Sequence, residues 1–344
     1  MVKLGNTCYN EHNRYSFFLP FCAFPWIAGR AGRGEGSMKR QRFRSIVSLI
    51  TGVTLFFCMF FIPASAEFYL ENEWNYVDGS MDVNHGIPDN ATGVMDRIRR
   101  KGVLRVATEP YFAPQEFIDP EKTGTDQYAG ADMELARLIA ARMGVELEII
   151  PMEYTQVLPA LTDNLVDLTI SAIAFTPRRA ASYTLSKGYY FTESAATTAL
   201  VIREADKELY SSEKDLSDKT LIVQSSSLQE ALVTKHVRYY REFRRVSSVQ
   251  TVYEAVRQGK ADVGIVDLET AQTYIRNNPG SGLTLAEGLY YVPEEQYLGN
   301  RVVAKKGELQ LIYFVNGVID EVLNSGAYTN WIEEAQKRAD ELGL

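Results

Sequence analysis

Cysteine and histidine are both scarce: the 344 residues hold three of each, and the cysteines are Cys8, Cys22 and Cys58. All three cysteines precede a small-residue stretch, Ala64-Ser65-Ala66, that reads as an export cleavage site. From Glu67 onward the chain has no thiol for a disulfide, a thiolate metal site or a cysteine nucleophile. Only His85 and His236 remain there, in no metal-ligand spacing, so neither a metal nor another cofactor is expected. Basic charge is short as well. The formal net charge is −8, and from Glu67 onward 28 basic residues face 42 acidic ones, a net −14. That balance argues against nucleic acid and anionic lipid as partners.

What is present at the N-terminus looks like targeting. Met38-Lys39-Arg40-Gln41-Arg42-Phe43-Arg44 is a basic n-region, and Ile46 to Ile62 is apolar and uncharged. Residues 38–66 therefore read as a signal peptide cleaved before Glu67, and the product as periplasmic or extracytoplasmic. A retained anchor is the competing reading, because the apolar run nearly reaches spanning length. Cys58 lacks the small-residue context of a lipid-attachment site. Residues 1–37 read as an upstream leader. Residues 67–95 are aromatic and acidic without periodicity, and read as an N-terminal arm of unassigned role.

Beyond the arm, strand and helix patterns alternate. A short amphipathic helix near Val94–Ile98 ends at Gly102 and runs into a strand over Val103–Ala107. Asp132 reads as an N-cap, Gly144 as the end of that helix, and Val145–Ile150 as the next strand. A helix over about Val157–Leu161 leads to the strand Val166–Ile170. The second half repeats the logic. It has a strand at Thr220–Val223, a helix over Leu228–His236 behind a Ser227/Glu230 capping box, and a helix over Ser248–Arg257. A strand over Ala261–Val266 and a helix over Leu268–Arg276 follow. The chain returns through Tyr297–Ala304 and ends in helices over Leu309–Asn324 and Thr329–Lys337. The expected architecture is α/β, in two lobes that are each a mostly parallel sheet flanked by helices. Residues 96–198 plus 300–344 make lobe 1, residues 199–299 make lobe 2, and two crossovers join them.

Two strand exits carry the chemistry. Ser171-Ala172-Ile173-Ala174-Phe175-Thr176-Pro177-Arg178-Arg179 leaves one apolar strand through small residues and ends in arginines. Asp267 leaves another, Val263-Gly264-Ile265-Val266. Ligands of open α/β sheets sit at the C-terminal ends of strands. A planar guanidinium there can clamp a carboxylate through two parallel hydrogen bonds, and a carboxylate can receive an ammonium. The pair suits a free amino acid. Glu116 reads as a solvated or rim residue, Tyr189 and Tyr190 as packing, and Glu294 and Glu295 as surface charges.

In this order these segments resemble the extracytoplasmic amino-acid-binding proteins of ABC transporters, solute-binding protein family 3, with the two-lobe type II periplasmic-binding fold. The resemblance covers about residues 95–340. It is carried by Leu104–Pro114, Tyr128–Ala136, Val166–Arg179, Gly259–Asp267 and Ser325–Tyr328. It implies that Arg179 grips an α-carboxylate and that Asp267 receives an α-ammonium. Phe112 covers the ligand and Tyr154 lines its side-chain pocket. Ser171 and Ala172 offer main-chain groups, and Ser226 and Ser227 present N–H groups at a helix start.

The chain departs from the family pattern at three positions. Ala174 stands where Ser or Thr is usual, Leu228 where some members have a hydroxyl, and Ser226 where glycine is usual. The implied function is capture of an amino acid or related zwitterion by hinge closure, for uptake through an ABC permease, by a monomer without catalysis. One alternative is a cyclohexadienyl-dehydratase-like enzyme on the same fold, with Glu294 or Glu295 as the acid. The other is the sensory lobe of a receptor, although no signalling module follows Leu344.

Overall fold

The computed structural model describes residues 76–192 and 197–344. The expected leader (1–37) with Cys8 and Cys22, the signal peptide (38–66) with Cys58, and the first part of the 67–95 arm lie outside the described residues. Helix α1 (Gly93–Lys101) ends at Gly102, whose φ of +70° supplies the left-handed residue that closes a helix, and β1 (Val103–Thr108) follows. A small three-stranded sheet comes next: β2 (Tyr111–Phe112), β3 (Glu116–Ile118) and β4 (Tyr128–Ala129). Then come α2 (Ala131–Met143), β5 (Glu146–Pro151), the short helices α3 (Tyr154–Val157) and α4 (Pro159–Thr162), and β6 (Leu168–Thr169). Helix α5 (Pro177–Ser182) and strand β7 (Tyr183–Tyr190) complete this part.

The second part contains β8 (Thr198–Arg203), β9 (Thr220–Gln224), α6 (Leu228–His236), β10 (Glu242–Val246) and α7 (Val249–Arg257). Strand β11 (Val263–Asp267), α8 (Leu268–Asn277) and β12 (Leu283–Tyr291) follow. The chain then returns through β13 (Asn300–Lys305) and ends in α9 (Leu309–Ser325) and α10 (Ala327–Leu342).

Two five-stranded sheets result, with orders β5-β1-β6-β13-β7 and β10-β9-β11-β8-β12. In each, four strands run one way and one is reversed: β13 in the first sheet and β8 in the second. Each reversed strand is the one by which the chain enters that sheet from the other. The central strands β8, β9 and β11 are buried almost throughout, as strands covered on both faces must be. The edge strands β5 and β10 keep exposed charges such as Glu146, Glu148 and Arg245, which discourage further pairing.

Asp132 is not the N-cap the sequence suggests. Gly130 occupies that place, at φ +115°, because any Cβ there would lie 2.2 Å from the Gln115 carbonyl oxygen. Asp132 sits one residue inside the helix and is fully buried. The capping box of α6 is half formed. Ser227 Oγ accepts from Glu230 N at 3.0 Å, while the Glu230 carboxylate reaches Ser226 N, not Ser227 N.

The described part of the arm is a built element of the first half. Val77 N donates to Leu185 O of β7 at 3.0 Å. Asn316 on α9, fully buried, donates to Val77 O and Gly79 O and accepts from Lys187 N. At its start, the Tyr76 ring lies 4.7 Å from the guanidinium of buried Arg301. The C-terminal helix crosses to the second half. Asp340 on α10 accepts from Arg276 and Asn277 at the end of α8, at 3.0 and 2.9 Å, and Gln336 accepts from Thr273 at 3.2 Å.

Candidate functional site

The C-terminal ends of β1, β6, β9 and β11 converge on one cavity of about 80 Å³ between the two sheets. Seven of the nine expected site residues line it: Phe112, Tyr154, Ser171, Ala172 and Ala174 from the first half, Ser227 and Asp267 from the second. Arg179 and Ser226 do not line it; they meet each other. Arg179 is the third residue of α5, whose N-cap Thr176 accepts from its backbone N–H at 3.2 Å. Its guanidinium donates to Ala174 O at 2.6 Å, to Tyr154 Oη at 3.0 Å and, across to the second half, to Ser226 O at 2.8 Å.

Ser226 has φ +66° and Ala172 has φ +46°, left-handed conformations that side-chain-bearing residues adopt at a cost of roughly 1–2 kcal/mol. Both are held by carboxylates. Ser226 N donates to Glu230 Oε2 at 2.6 Å, and Ala172 N donates to Asp132 Oδ2 at 2.8 Å. The Ala172 N–H is therefore spent on Asp132 and not on the cavity, contrary to the expectation of a free main-chain donor. Asp132 also accepts from Tyr189 and Tyr328 at 2.9 and 2.6 Å. Burial raises the Asp132 carboxyl above its ordinary value, and these donors oppose that rise. Burial, with Asp132 beside it, pushes the Glu116 carboxyl well above the usual range.

Glu116 is accordingly no rim residue. It is 1% exposed, lines the cavity, and accepts from Ser171 Oγ at 3.0 Å. Ser171 Oγ in turn accepts from Glu109 N at 3.0 Å. Glu109, one residue beyond β1, was not singled out by sequence reasoning, yet it is 1% exposed and central. Both its carboxylate oxygens accept from Gln224 Nε2 of the second half, at 2.8 and 2.9 Å. Burial raises the Glu109 carboxyl to about 7, opposed by the Gln224 hydrogen bond and assisted by Glu153. The signal available in sequence was the one that found Asp267, an acid at the exit of an apolar strand.

Asp267 caps α8, accepting from Thr270 N and Thr270 Oγ1 at 3.0 and 3.1 Å, and burial pushes it up to about 6. Tyr190, read as packing, also lines the cavity and donates to Glu269 Oε2 at 3.1 Å, a further contact between the halves. Tyr189 is packed and buried, as expected. Glu294 and Glu295 do not line the cavity, and Glu294 pairs with Lys235 at the surface, at 2.5 Å. The acid proposed for a dehydratase is therefore misplaced; the buried carboxyls of the cavity are Glu109 and Glu116. Leu228, the first residue of α6, contributes an apolar wall. Among the described residues no group of three or more His, Cys, Asp or Glu side chains could hold a metal ion. No helix among them is long and apolar enough to cross a membrane.

Residues 104–335 match the model of the bacterial extracellular solute-binding proteins, family 3. The chain is 27% identical over 181 residues to an arginine-binding extracellular protein of Bacillus subtilis, covering 52% of this chain and 66% of that protein. It is 25% identical to a probable histidine-binding protein of Campylobacter jejuni, over 51% of this chain and 64% of that one. The matches thus span just under two thirds of these two relatives. A cyclohexadienyl dehydratase of Pseudomonas aeruginosa is 24% identical over 59% of this chain and 75% of the enzyme. Among solved structures, an amino-acid ABC transporter substrate-binding protein of Streptococcus pneumoniae bound to L-arginine superposes with a TM-score of 0.63. It is 30% identical and is covered to 98% by 71% of this chain.

Proposed function

Because this chain belongs to the bacterial extracellular solute-binding proteins of family 3 and has their type II fold, we propose that it captures an amino acid between its two halves and delivers it to an ABC permease. The observation that carries the reading is a buried guanidinium, Arg179, on the short helix beside the cavity in one half, and a half-buried carboxylate, Asp267, at the strand end that lines it in the other. In the form described, Arg179 is occupied by the Ser226 carbonyl, which stands where a ligand carboxylate would compete for the same N–H groups. Opening the halves breaks the Arg179–Ser226 and Glu109–Gln224 contacts. Closing on a ligand replaces the first by a charged, two-pronged carboxylate contact and gives Asp267 an ammonium. Those gains, made only when both halves touch the ligand, drive the closure.

The protein acts outside the cytoplasm, directed there by residues 38–66, and works as a monomer. It binds without turnover. A lyase reading rests on the Pseudomonas relative and on the raised carboxyls of Glu109 and Glu116, and it predicts consumption of arogenate or prephenate on incubation. Calorimetry against the amino acids tests the main reading: one or more should bind, and Arg179→Lys should weaken binding by about 2–5 kcal/mol with the fold intact. An Arg179→Lys protein that binds like wild type would remove Arg179 from the site.

A further inference from the structure

Strand β13 carries an arginine that the binding reading leaves unused. Arg301 follows Gly299 and Asn300, ahead of the apolar run Val302-Val303-Ala304. It is 4% exposed, and Nε and Nη1 of its guanidinium are buried without a hydrogen-bond partner. Among the described residues no carboxylate reaches it as an ion pair, and Asp78 acts on it only from a distance. Aromatic faces take the place of an acid. The guanidinium carbon lies 4.7 Å from the centre of the Tyr76 ring and 5.8 Å from that of Phe191. Burial pulls the guanidinium down to about 10, so it keeps its charge at neutral pH.

The neighbours are shaped around this stack. A Cβ at Gly188 would collide with Arg301 Nη1 and with one edge of the Phe191 ring, and a Cβ at Gly299 would strike the opposite edge. Phe191 is therefore seated between two glycines, although 54% of it is exposed. Its place in the chain matters. Phe191 is the first residue after β7 on the way to the second half, and Gly299 is the last before β13 on the way back. The cover over Arg301 is thus drawn from both crossovers, the segments that must bend when the halves rotate apart. A rotation that unseats Phe191 lets water reach the guanidinium, and closure shuts the water out again.

A cation held away from water without a hydrogen-bonded acid is costly, and ring faces make good only part of its lost hydration. That cost falls on the closed arrangement and is relieved in the open one. Resting on the hinge-closure reading above, we propose that Arg301 is a positioning residue of the hinge, which biases the unliganded halves toward the open arrangement through its own hydration. Ligand contacts must outweigh this bias before the halves stay closed, and the same bias quickens release. Arg301 then sets how tightly the protein holds its ligand without touching it. The N-terminal arm has a part in this, because the Tyr76 ring that covers the guanidinium also meets Phe175 edge-on at 6.3 Å, in the loop that leads to Arg179.

The test compares wild type with Arg301→Met, Arg301→Gln and Arg301→Lys. Small-angle X-ray scattering reads the unliganded proteins; calorimetry and stopped flow follow, with each common amino acid in turn as the probe. Arg301→Met removes the charge and keeps an unbranched chain. It should shrink the unliganded scattering radius, raise affinity about tenfold and slow dissociation by a similar factor, with association unchanged. Arg301→Gln, neutral but polar, should move the same readouts the same way, which keeps the idea testable if Arg301→Met does not fold. Arg301→Lys keeps a charge that is more strongly hydrated, and should bind no tighter than wild type. An arginine with a merely structural role would alter the melting temperature and leave affinity and scattering radius alone, and that result overturns the proposal. So does an Arg301→Met protein that expands or releases its ligand faster. Contraction of wild type on adding sodium phosphate, absent in Arg301→Met, would make the guanidinium an anion site and overturn the bias as well. If no amino acid binds or contracts the wild type, the hinge-closure reading falls and the proposal with it.

Discussion

Two desolvated acids on opposite halves, Glu109 buried and Asp267 half-buried, share a thermodynamic consequence. Folding raises Glu109 from 4.5 to about 7 and Asp267 from 3.8 to about 6, in each case chiefly through burial. A carboxyl that holds its proton more tightly when folded lends stability that is complete below its unfolded value and lost as pH rises through its folded one. For this pair the window runs from about pH 4 to just above pH 7. The melting temperature of the unliganded protein should therefore fall between pH 5 and pH 8. Glu109→Gln should flatten much of that slope, since a shift of this size corresponds to about 3 kcal/mol. A melting temperature that rises over the same range would refute the burial of these groups. At Ser226, where φ is +66°, glycine fits without strain. Ser226→Gly should preserve or raise stability, by up to about 1 kcal/mol as read from the thermal midpoint, and leave the Arg179 contact to its carbonyl in place.

The arm and the helices show what pattern reveals and what it hides. Asn316, itself fully buried, spends its amide on Val77 O, Gly79 O and Lys187 N in part-buried contacts. Asn316→Ala would remove three part-buried hydrogen bonds, each contributing about 0.5–1.5 kcal/mol. Urea denaturation should show a loss of about 3 kcal/mol, and limited proteolysis should open near residues 76–92. Nothing in the local sequence announces that staple, because its partners lie 129 to 239 positions away. Helices α6 and α7 are legible for the opposite reason: a serine cap and an apolar stripe are local signals, and both helices start where those signals say.

Asp132 was misread because Asp after Gly has the composition of a cap, while a backbone-to-backbone approach at Gly130 took that place. The strands β7, β8, β10 and β12 went unread. Those stretches lack a clean two-residue alternation, being buried on both faces or lying at an edge, and only pairing defines them. Arg179 and Asp267 were found from strand exits. Glu109 obeys the same rule but was passed over, and its burial depends on Gln224 arriving from the other half.

At the scale of the whole molecule, α8 is held at both ends. Asp267 caps it in the cavity, and its far end is tied to Asp340 on α10. Any opening that carries Asp267 away from the first half must also break that outer tie. Asp340→Ala should therefore speed ligand dissociation several-fold in stopped-flow measurements, with little change in association, because partly exposed ion pairs contribute only about 0.2–1 kcal/mol. Unchanged dissociation would mean that α8 and α10 move together.

The two reversed strands also bear on how the chain is made. Every strand of the second sheet lies between Thr198 and Tyr291, so that sheet is complete in sequence before the return crossover has been synthesised. The first sheet must wait, since β13 separates β6 from β7 and arrives only at Asn300–Lys305. Emerging from a ribosome or threading a translocon, the earlier-begun half finishes last. It holds an unfilled slot through the interval, and a chaperone or a proofreading protease would find its target there.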